Sequence, residues 1–299
     1  MSLIIIGSVA FDTIETPAGK KERIVGGSAT YAALAASFFT RPAIVSVVGR
    51  DFPRSMMVVL KDRGVDLRGL KIKSGKTFHW HGVYSQDTNI RTTLKTEMNV
   101  LADYRPVLPE KFRSADIVFL SNLDPEIHPY VLKQMRKKPL LAMDTIRYWI
   151  ENKPEALLKA IQEVDVLFVN DEEVRLITRE YNLVKAGQSL KNSGPQVIIV
   201  KKGEHGALVF GKNFVFSVVA HPCDKVIDPT GAGDSFAGAF LGYLDSCGKF
   251  NQREIRKAAV YGNLVASLVI EDFGLAGLLK ASPLDLIERY KNFKKVVYF

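Results

Sequence analysis

The stretch Ile227-Asp228-Pro229-Thr230-Gly231-Ala232-Gly233-Asp234-Ser235-Phe236-Ala237-Gly238 carries the sharpest local signal in the chain. Two glycines one residue apart let a backbone approach a ligand closely. The apolar helix expected over Gly233 to Cys247 supplies unpaired N–H groups at its start, and such donors favour a phosphate or a developing oxyanion. Asp234 stands where a carboxylate can face both that anion and a hydroxyl, as the general base of a phosphoryl transfer must. It equally fits a helix-start acid that complements the dipole, and the local sequence leaves both readings open.

Upstream of this turn, short apolar runs alternate with amphipathic stretches, which favours a parallel sheet covered by helices. Leu3 to Ile6, Ala43 to Val48, Ile117 to Leu120, Leu140 to Met143, Val166 to Val169 and Val197 to Val200 have the composition of strands buried on both faces. Helices are expected over Ser28 to Phe39, Arg54 to Arg63, Ile127 to Arg136, Pro154 to Gln162, Asp171 to Thr178 and Leu183 to Lys191. Thr77 to Tyr84 and Ile90 to Thr96 alternate around a turn-like Ser85 to Asn89 and predict a hairpin. With Thr13 to Ile24 it forms a small sheet outside the main one, suited to a lid. A second hairpin, Ala207 to Phe210 and Phe214 to Val219, precedes two long helices, Gly233 to Cys247 and Gln252 to Glu271.

Composition narrows the class of protein. Over 299 residues, 47% hydrophobic and 24% charged content excludes a disordered or collagen-like chain. The 41 Lys+Arg against 32 Asp+Glu leave a formal charge of +9, which suits nucleic acid or small anionic substrates equally well. Only Cys223 and Cys247 occur, without the paired spacing of a zinc site or a disulfide framework, so a reduced, cytoplasmic setting is expected. Met1 to Ala10 has no basic n-region, and no apolar run approaches the roughly 18 residues needed to cross a bilayer. A P-loop match through Gly206, Gly211, Lys212 and Asn213 lacks the magnesium-binding hydroxyl and lies on a hairpin. A dinucleotide fingerprint through Gly231 and Gly233 finds its third glycine too late, at Gly238.

The segment Asp228 to Phe236 resembles the C-terminal signature of the ribokinase-like, or PfkB-type, carbohydrate kinases, which transfer the γ-phosphoryl of ATP to a hydroxyl. Other motifs match in order: Asp12 after an early strand, Gly26-Gly27 before a small-residue helix, Val48-Gly49-Arg50-Asp51, Gly64-Val65-Asp66, Asn170-Asp171-Glu172-Glu173 and Val200 to Gly206. The resemblance spans nearly the whole chain. It implies one kinase domain over residues 1–299, an α/β three-layer sandwich with a central mainly parallel sheet. A small β-sheet lid would be built from about residues 12–25 and 71–97.

By the same resemblance Asp234 takes the hydroxyl proton, and the amides of Gly231, Ala232 and Gly233 form the anion hole. Asn170 and Glu173 organise Mg²⁺ on the ATP phosphates through water, although the pair also fits a capping box. Lys201, Gly203 and Gly206 lie along the nucleotide, with Asn263 and Gly274 near the adenine. The loop around Asp228 and Thr230 is the place for a monovalent cation. For the acceptor, Asp12 and the Gly26-Gly27 backbone bind sugar hydroxyls, with Asn122 and Asp124 as further candidates. Tyr31 departs from the family's usual Asn, which puts ribose itself in doubt.

Asp144 to Trp149 resembles a segment of ketogluconate-type kinases, so Arg147 and the lid residue Arg91 are expected to hold a carboxylate through paired N–H donors. A keto sugar acid is therefore the expected acceptor. A cyclitol, a neutral sugar or a nucleoside is the alternative within the family. A catalytically silent sugar- or nucleic-acid-binding protein is the alternative outside it. His79-Trp80-His81 puts two histidines on one strand face without a third metal ligand. No basic run interleaved with aromatics points to nucleic acid. The expected partners are ATP and a small acceptor, with no nucleic acid and no membrane, and the resemblance leaves a homodimer through the lid open.

Overall fold

Runs of four to eight residues form the strands, which in chain order are β1 (Leu3–Ile6), β2 (Ala10–Thr16), β3 (Gly19–Gly26), β4 (Ala43–Gly49), β5 (Asp66–Lys73), β6 (Phe78–Tyr84), β7 (Arg91–Glu97), β8 (Ile117–Leu120), β9 (Leu140–Asp144), β10 (Val166–Asn170), β11 (Val197–Lys201), β12 (Ala207–Gly211) and β13 (Phe214–Val218). The computed structural model describes residues 2–298, so Met1 of the segment searched for a targeting signal lies outside the described residues. A nine-stranded sheet runs β13-β12-β11-β10-β9-β8-β1-β4-β5. It is parallel from β11 to β5, and the β12–β13 hairpin adds its two strands antiparallel at one edge. This is the ribokinase-like α/β architecture, with helices on both faces.

The inner strands of this sheet are apolar because they feed two cores. From β1, Leu3 and Ile5 join Phe119, Phe168 and Phe240 on one face, whereas Ile4 and Ile6 join Val118, Leu120 and Leu167 on the other. Each such side chain, fully withdrawn from water, contributes roughly 1.5–3 kcal/mol. The first face is covered by the helices Ser28–Ala36, Ala232–Cys247 and Gln252–Val269, the second by Pro154–Glu163, Asp171–Thr178 and Leu183–Asn192. No helix among the described residues is long and apolar enough to cross a membrane.

The smaller sheet has the order β3-β2-β6-β7, with β2 and β6 parallel. Its second segment starts at Phe78, not near residue 71, because Lys71 and Lys73 pair with Val47 and Gly49 at the edge of the central sheet. The helix expected over residues 127–136 is shorter: a 3₁₀ turn at Pro125–Ile127 leads into His128–Leu132. Beyond Leu132 the Gln134 amide bridges the helix to the preceding segment, donating to the carbonyls of Tyr130 and Pro106 and accepting from the Leu108 N–H.

Two helices approach each other closely enough to set the position of the site. A Cβ on Gly238 would lie 2.1 Å from the Ala32 carbonyl oxygen, and one on Gly242 would lie 2.8 Å from the Ala36 Cα. Gly238→Ala is therefore expected to cost about 1–3 kcal/mol through overpacking, read as a lowered denaturant midpoint. An unchanged midpoint would show that the two helices have room to separate.

Candidate functional site

The glycine turn is built around the buried carboxylate of Asp228. It accepts the N–H groups of Thr230 at 2.9 Å and Gly274 at 2.8 Å, which ties the turn to the segment that follows the helix Gln252–Val269. Gly231 has φ +77° and caps the helix Ala232–Cys247, and a Cβ there would lie 2.3 Å from the Tyr31 ring. Only glycine meets both conditions. The Ala232 N–H is directed back at the Pro229 carbonyl, 3.2 Å away. Asp234 follows in the first helical turn. Burial pushes its carboxyl up to about 7, the charge of Asp144 adds to the shift, and Lys201 and Arg91 oppose it.

Three neighbouring strand ends face this turn. Asp144 ends β9, Asn170 ends β10 and Lys201 ends β11, the last two in direct register. Lys201 Nζ donates to Asp144 Oδ2 at 2.5 Å. A Cβ on Gly233 would lie 3.1 Å from the same Nζ, so the ammonium hangs over the glycine turn. Asn170 and Glu173 form a reciprocal capping box. The Asn170 Oδ1 accepts the Glu173 N–H at 2.7 Å, and the Glu173 Oε2 accepts the Asn170 N–H at 2.8 Å. Burial, helped by Asp144, lifts Glu173 to about 7. Mg²⁺ takes one or two carboxylates and keeps several waters. A buried carboxylate with one oxygen outside the capping box fits that donor set.

On the other side of the turn, Asp12 projects from β2. A Cβ on Gly26 would lie 1.9 Å from its Oδ2, so the carboxylate occupies the space that a side chain at residue 26 would need. Gly27 has φ +93° and opens the helix Ser28–Ala36. Burial raises Asp12 to about 7, against a stabilising hydrogen bond from the Gly27 N–H. Three hydroxyls lock this corner: Ser121 Oγ donates to Ser28 Oγ at 2.7 Å, and the Ser28 N–H donates to Ser8 Oγ at 3.1 Å. Tyr31 is buried, with its hydroxyl unpartnered and its ring against Gly231.

The smaller sheet also reaches this turn. Tyr84 and Arg91 pair across β6 and β7, and Thr230 Oγ1 donates to the Tyr84 hydroxyl at 3.0 Å. The Arg91 guanidinium sits 5.3 Å from the Trp80 ring, and its charge acts on Asp12, Glu173 and Asp234 together. At the tip of the hairpin, Asn89 Oδ1 lies 2.3 Å from where a Gly203 Cβ would stand. Gly203 and Gly206 both have positive φ and shape the turn after β11. His79 and His81 use the opposite face, where they pair with Thr13, Glu97 and Glu15.

Other expected residues have partners of their own. Arg147 is exposed and donates to Glu151 at 2.7 Å and to Glu172 at 2.8 Å. Asn122 accepts from the Trp149 indole at 3.2 Å. Asp124 caps the 3₁₀ turn and pairs with Lys153 at 2.5 Å. Asn263 Oδ1 accepts the His221 N–H at 3.3 Å, and its amide nitrogen is buried without a partner. Gly274 lies on the Asp228 side, beside Ile24 and Tyr31. The carboxylate that sequence reasoning left out is Asp144, whose signal was its place at the C-terminal end of a parallel strand, where α/β sheets bind ligands.

The pfkB family carbohydrate kinase model matches residues 2–281. A cytidine kinase of Thermococcus kodakarensis is 28% identical over 268 residues, covering 86% of this chain and 95% of that protein. A nucleoside kinase of Methanocaldococcus jannaschii is 25% identical over 265 residues, covering 88% and 83%. The crystal structure of a Methanocaldococcus jannaschii nucleoside kinase superposes with a TM-score of 0.77 at 22% identity, over 98% of this chain and 99% of that one, which shows the shared fold.

With Asp234 as the proton acceptor, only its ionised form is competent, so kcat/KM is expected to rise as the pH climbs through about 7. Arg91 lowers both Asp234 and Asp12. Arg91→Ala should therefore move the rising limb to higher pH in a pH–rate profile. A limb that stays in place or moves down would contradict this electrostatic assignment.

Proposed function

The chain belongs to the pfkB family of carbohydrate kinases, and from that premise we propose that its acceptor is a nucleoside, phosphorylated on a ribose hydroxyl. The protein is a phosphotransferase with a hydroxyl acceptor, and kinases of this family use ATP with Mg²⁺. The observation that carries the nucleoside reading is the position of Arg147. A keto sugar acid needs a cation for its carboxylate, and this one is exposed and already shared between Glu151 and Glu172. What remains on the acceptor side is Asp12 beside the Gly26-Gly27 backbone, a carboxylate able to accept two hydroxyl hydrogen bonds, with Arg91 of the smaller sheet as the cation whose charge acts on it. The cytidine and nucleoside kinases that align over most of both chains support the same choice.

In this reading Asp12 orients the ribose and Asp234 accepts the proton of the attacking hydroxyl. The Gly231 and Gly233 amides, with Ala232 completing the turn, steady the charge that grows on the transferred group. Bound Mg²⁺ supplies charge neutralisation on the β- and γ-phosphates. Glu173 and Asn170 would hold it through water. Gly203 and Gly206 lie along the nucleotide, Lys201 reaches its γ-phosphate end, and the unpartnered amide of Asn263 supports a contact with the base. The carbonyls around Asp228 and Thr230 are the proposed monovalent-cation ligands. The smaller sheet acts as a lid, because Asp12, Tyr84 and Arg91 all gather at the glycine turn. The open β7 edge, with Leu94 exposed, supports a homodimer through that lid.

The test is a panel of cytidine, other nucleosides, ribose, fructose, a cyclitol and a ketogluconate, followed by ADP release in wild type and Arg147→Ala. Nucleosides are expected to give the highest kcat/KM. Arg147→Ala should change that value by no more than about twofold, because exposed ion pairs of this kind contribute little. Preferred turnover of the ketogluconate, lost in Arg147→Ala, would restore the sugar-acid reading.

A further inference from the structure

Lys201 is the one lysine buried among the carboxylates of the site. Its side chain is 17% exposed and that of Asp144 is 6% exposed. Both oxygens of Asp144 are engaged: Oδ1 accepts the Thr145 N–H at 2.9 Å and Oδ2 accepts from Lys201 at 2.5 Å. The carboxylate is thus fixed at the end of β9, and it fixes the ammonium in turn. The lysine begins at the end of β11 and arches over Gly233, where a side chain at residue 233 would stand 3.1 Å from Nζ. Burial alone would pull Lys201 down, but Asp144, Glu173 and Asp234 hold its ammonium above the ordinary lysine value, so it stays charged. A lysine ammonium has three donors. One is spent on Asp144, and the others are free for a group lying on the glycine turn.

We propose that Lys201 is a catalytic cation of the phosphoryl transfer, touching the transferred group above Gly233, and that Asp144 is the positioning residue that holds its ammonium there. This rests on the glycine turn as the phosphate site, whichever acceptor is used. In the step, a bond forms from the acceptor oxygen to the γ-phosphorus as the bond to the bridging oxygen of ADP breaks. The hydroxyl proton passes to Asp234. Lys201 keeps its three protons and Asp144 stays ionised. What changes is the strength of the hydrogen bond to the oxygens of the transferred group, which become a better acceptor as the transition state forms. A fixed donor of this kind needs no reorganisation at the moment of transfer.

The experiment measures kcat and KM for ATP with the acceptor that wild type turns over fastest, alongside ADP binding by calorimetry without acceptor. Lys201→Met should lower kcat by about 10²–10³-fold, the scale for one preorganised donor, while ADP affinity holds within about fivefold because ADP lacks the contacted group. Lys201→Arg should recover part of the loss. Asp144→Asn should lower kcat by about tenfold without raising KM for ATP, as expected for an interaction made only in the transition state. The double variant Asp144→Asn/Lys201→Met should be no slower than Lys201→Met, because the two residues act as a unit.

Lys201→Met leaves Asp144 buried without its partner, a strongly destabilising change. If it fails to fold, the double variant, which removes both charges, carries the same kcat and ADP measurements. ADP affinity falling in step with kcat, multiplicative losses in the double variant, or near-normal kcat after removal of the lysine would each overturn the proposal. Failure of cytidine as acceptor, with another compound phosphorylated, would overturn the nucleoside reading and leave these ratios intact.

Discussion

The close contact between the helices Ser28–Ala36 and Ala232–Cys247 is the constraint on which the rest of the site depends. Gly238 and Gly242 admit Ala32 and Ala36 where a side chain would hold the helices apart. Both helices begin in glycine, Gly27 and Gly231, each at positive φ. Drawing the helices together therefore brings two sets of helix-start N–H groups to one place, with Asp12 beside the first and Asp234 just inside the second. Tyr31, one turn along the first helix, lays its ring on Gly231 and fixes the spacing between them. The Asp12 corner and the glycine turn are two ends of one packing arrangement.

The charge balance follows from that geometry. Asp12, Glu173 and Asp234 each sit near 7 chiefly because burial disfavours their ionised forms. Arg91, from the smaller sheet, opposes this at all three, and Lys201, from the central sheet, at Glu173 and Asp234. Held near neutrality, a carboxylate can take a proton from an acceptor hydroxyl at little cost and lose it again afterwards. The formal +9 of the chain thus has little to do with the inner site, where carboxylates outnumber lysines. Most of the excess lies on the surface, as in Lys294 and Lys295 on the final helix.

The parts of the fold that rest on periodicity were legible in the sequence. β1 and β8 fall on the expected residues because their side chains are apolar in both directions, and the helix Asp171–Thr178 does so because a capping box starts it. β5 was not legible, since Asp66 to Lys73 mixes charges and a glycine as an edge strand does, and its last residues look like part of the lid. In the site, glycines and their spacing marked the turn, whereas pairings across long stretches of chain did not show. Asp144 meets Lys201 across 57 residues. Arg147 meets Glu172 across 25. A motif records which residues are present; the fold decides which charges they face.

The most direct measurement is a crystal structure of the protein with cytidine, ADP, Mg²⁺ and a planar phosphoryl mimic. The account predicts the mimic on the Gly231 to Gly233 turn, with a ribose hydroxyl within about 3 Å of the Asp234 carboxylate and the ribose diol on Asp12. A reacting hydroxyl lodged against Asp144 or Glu173, or a mimic bound away from the glycine turn, would contradict it.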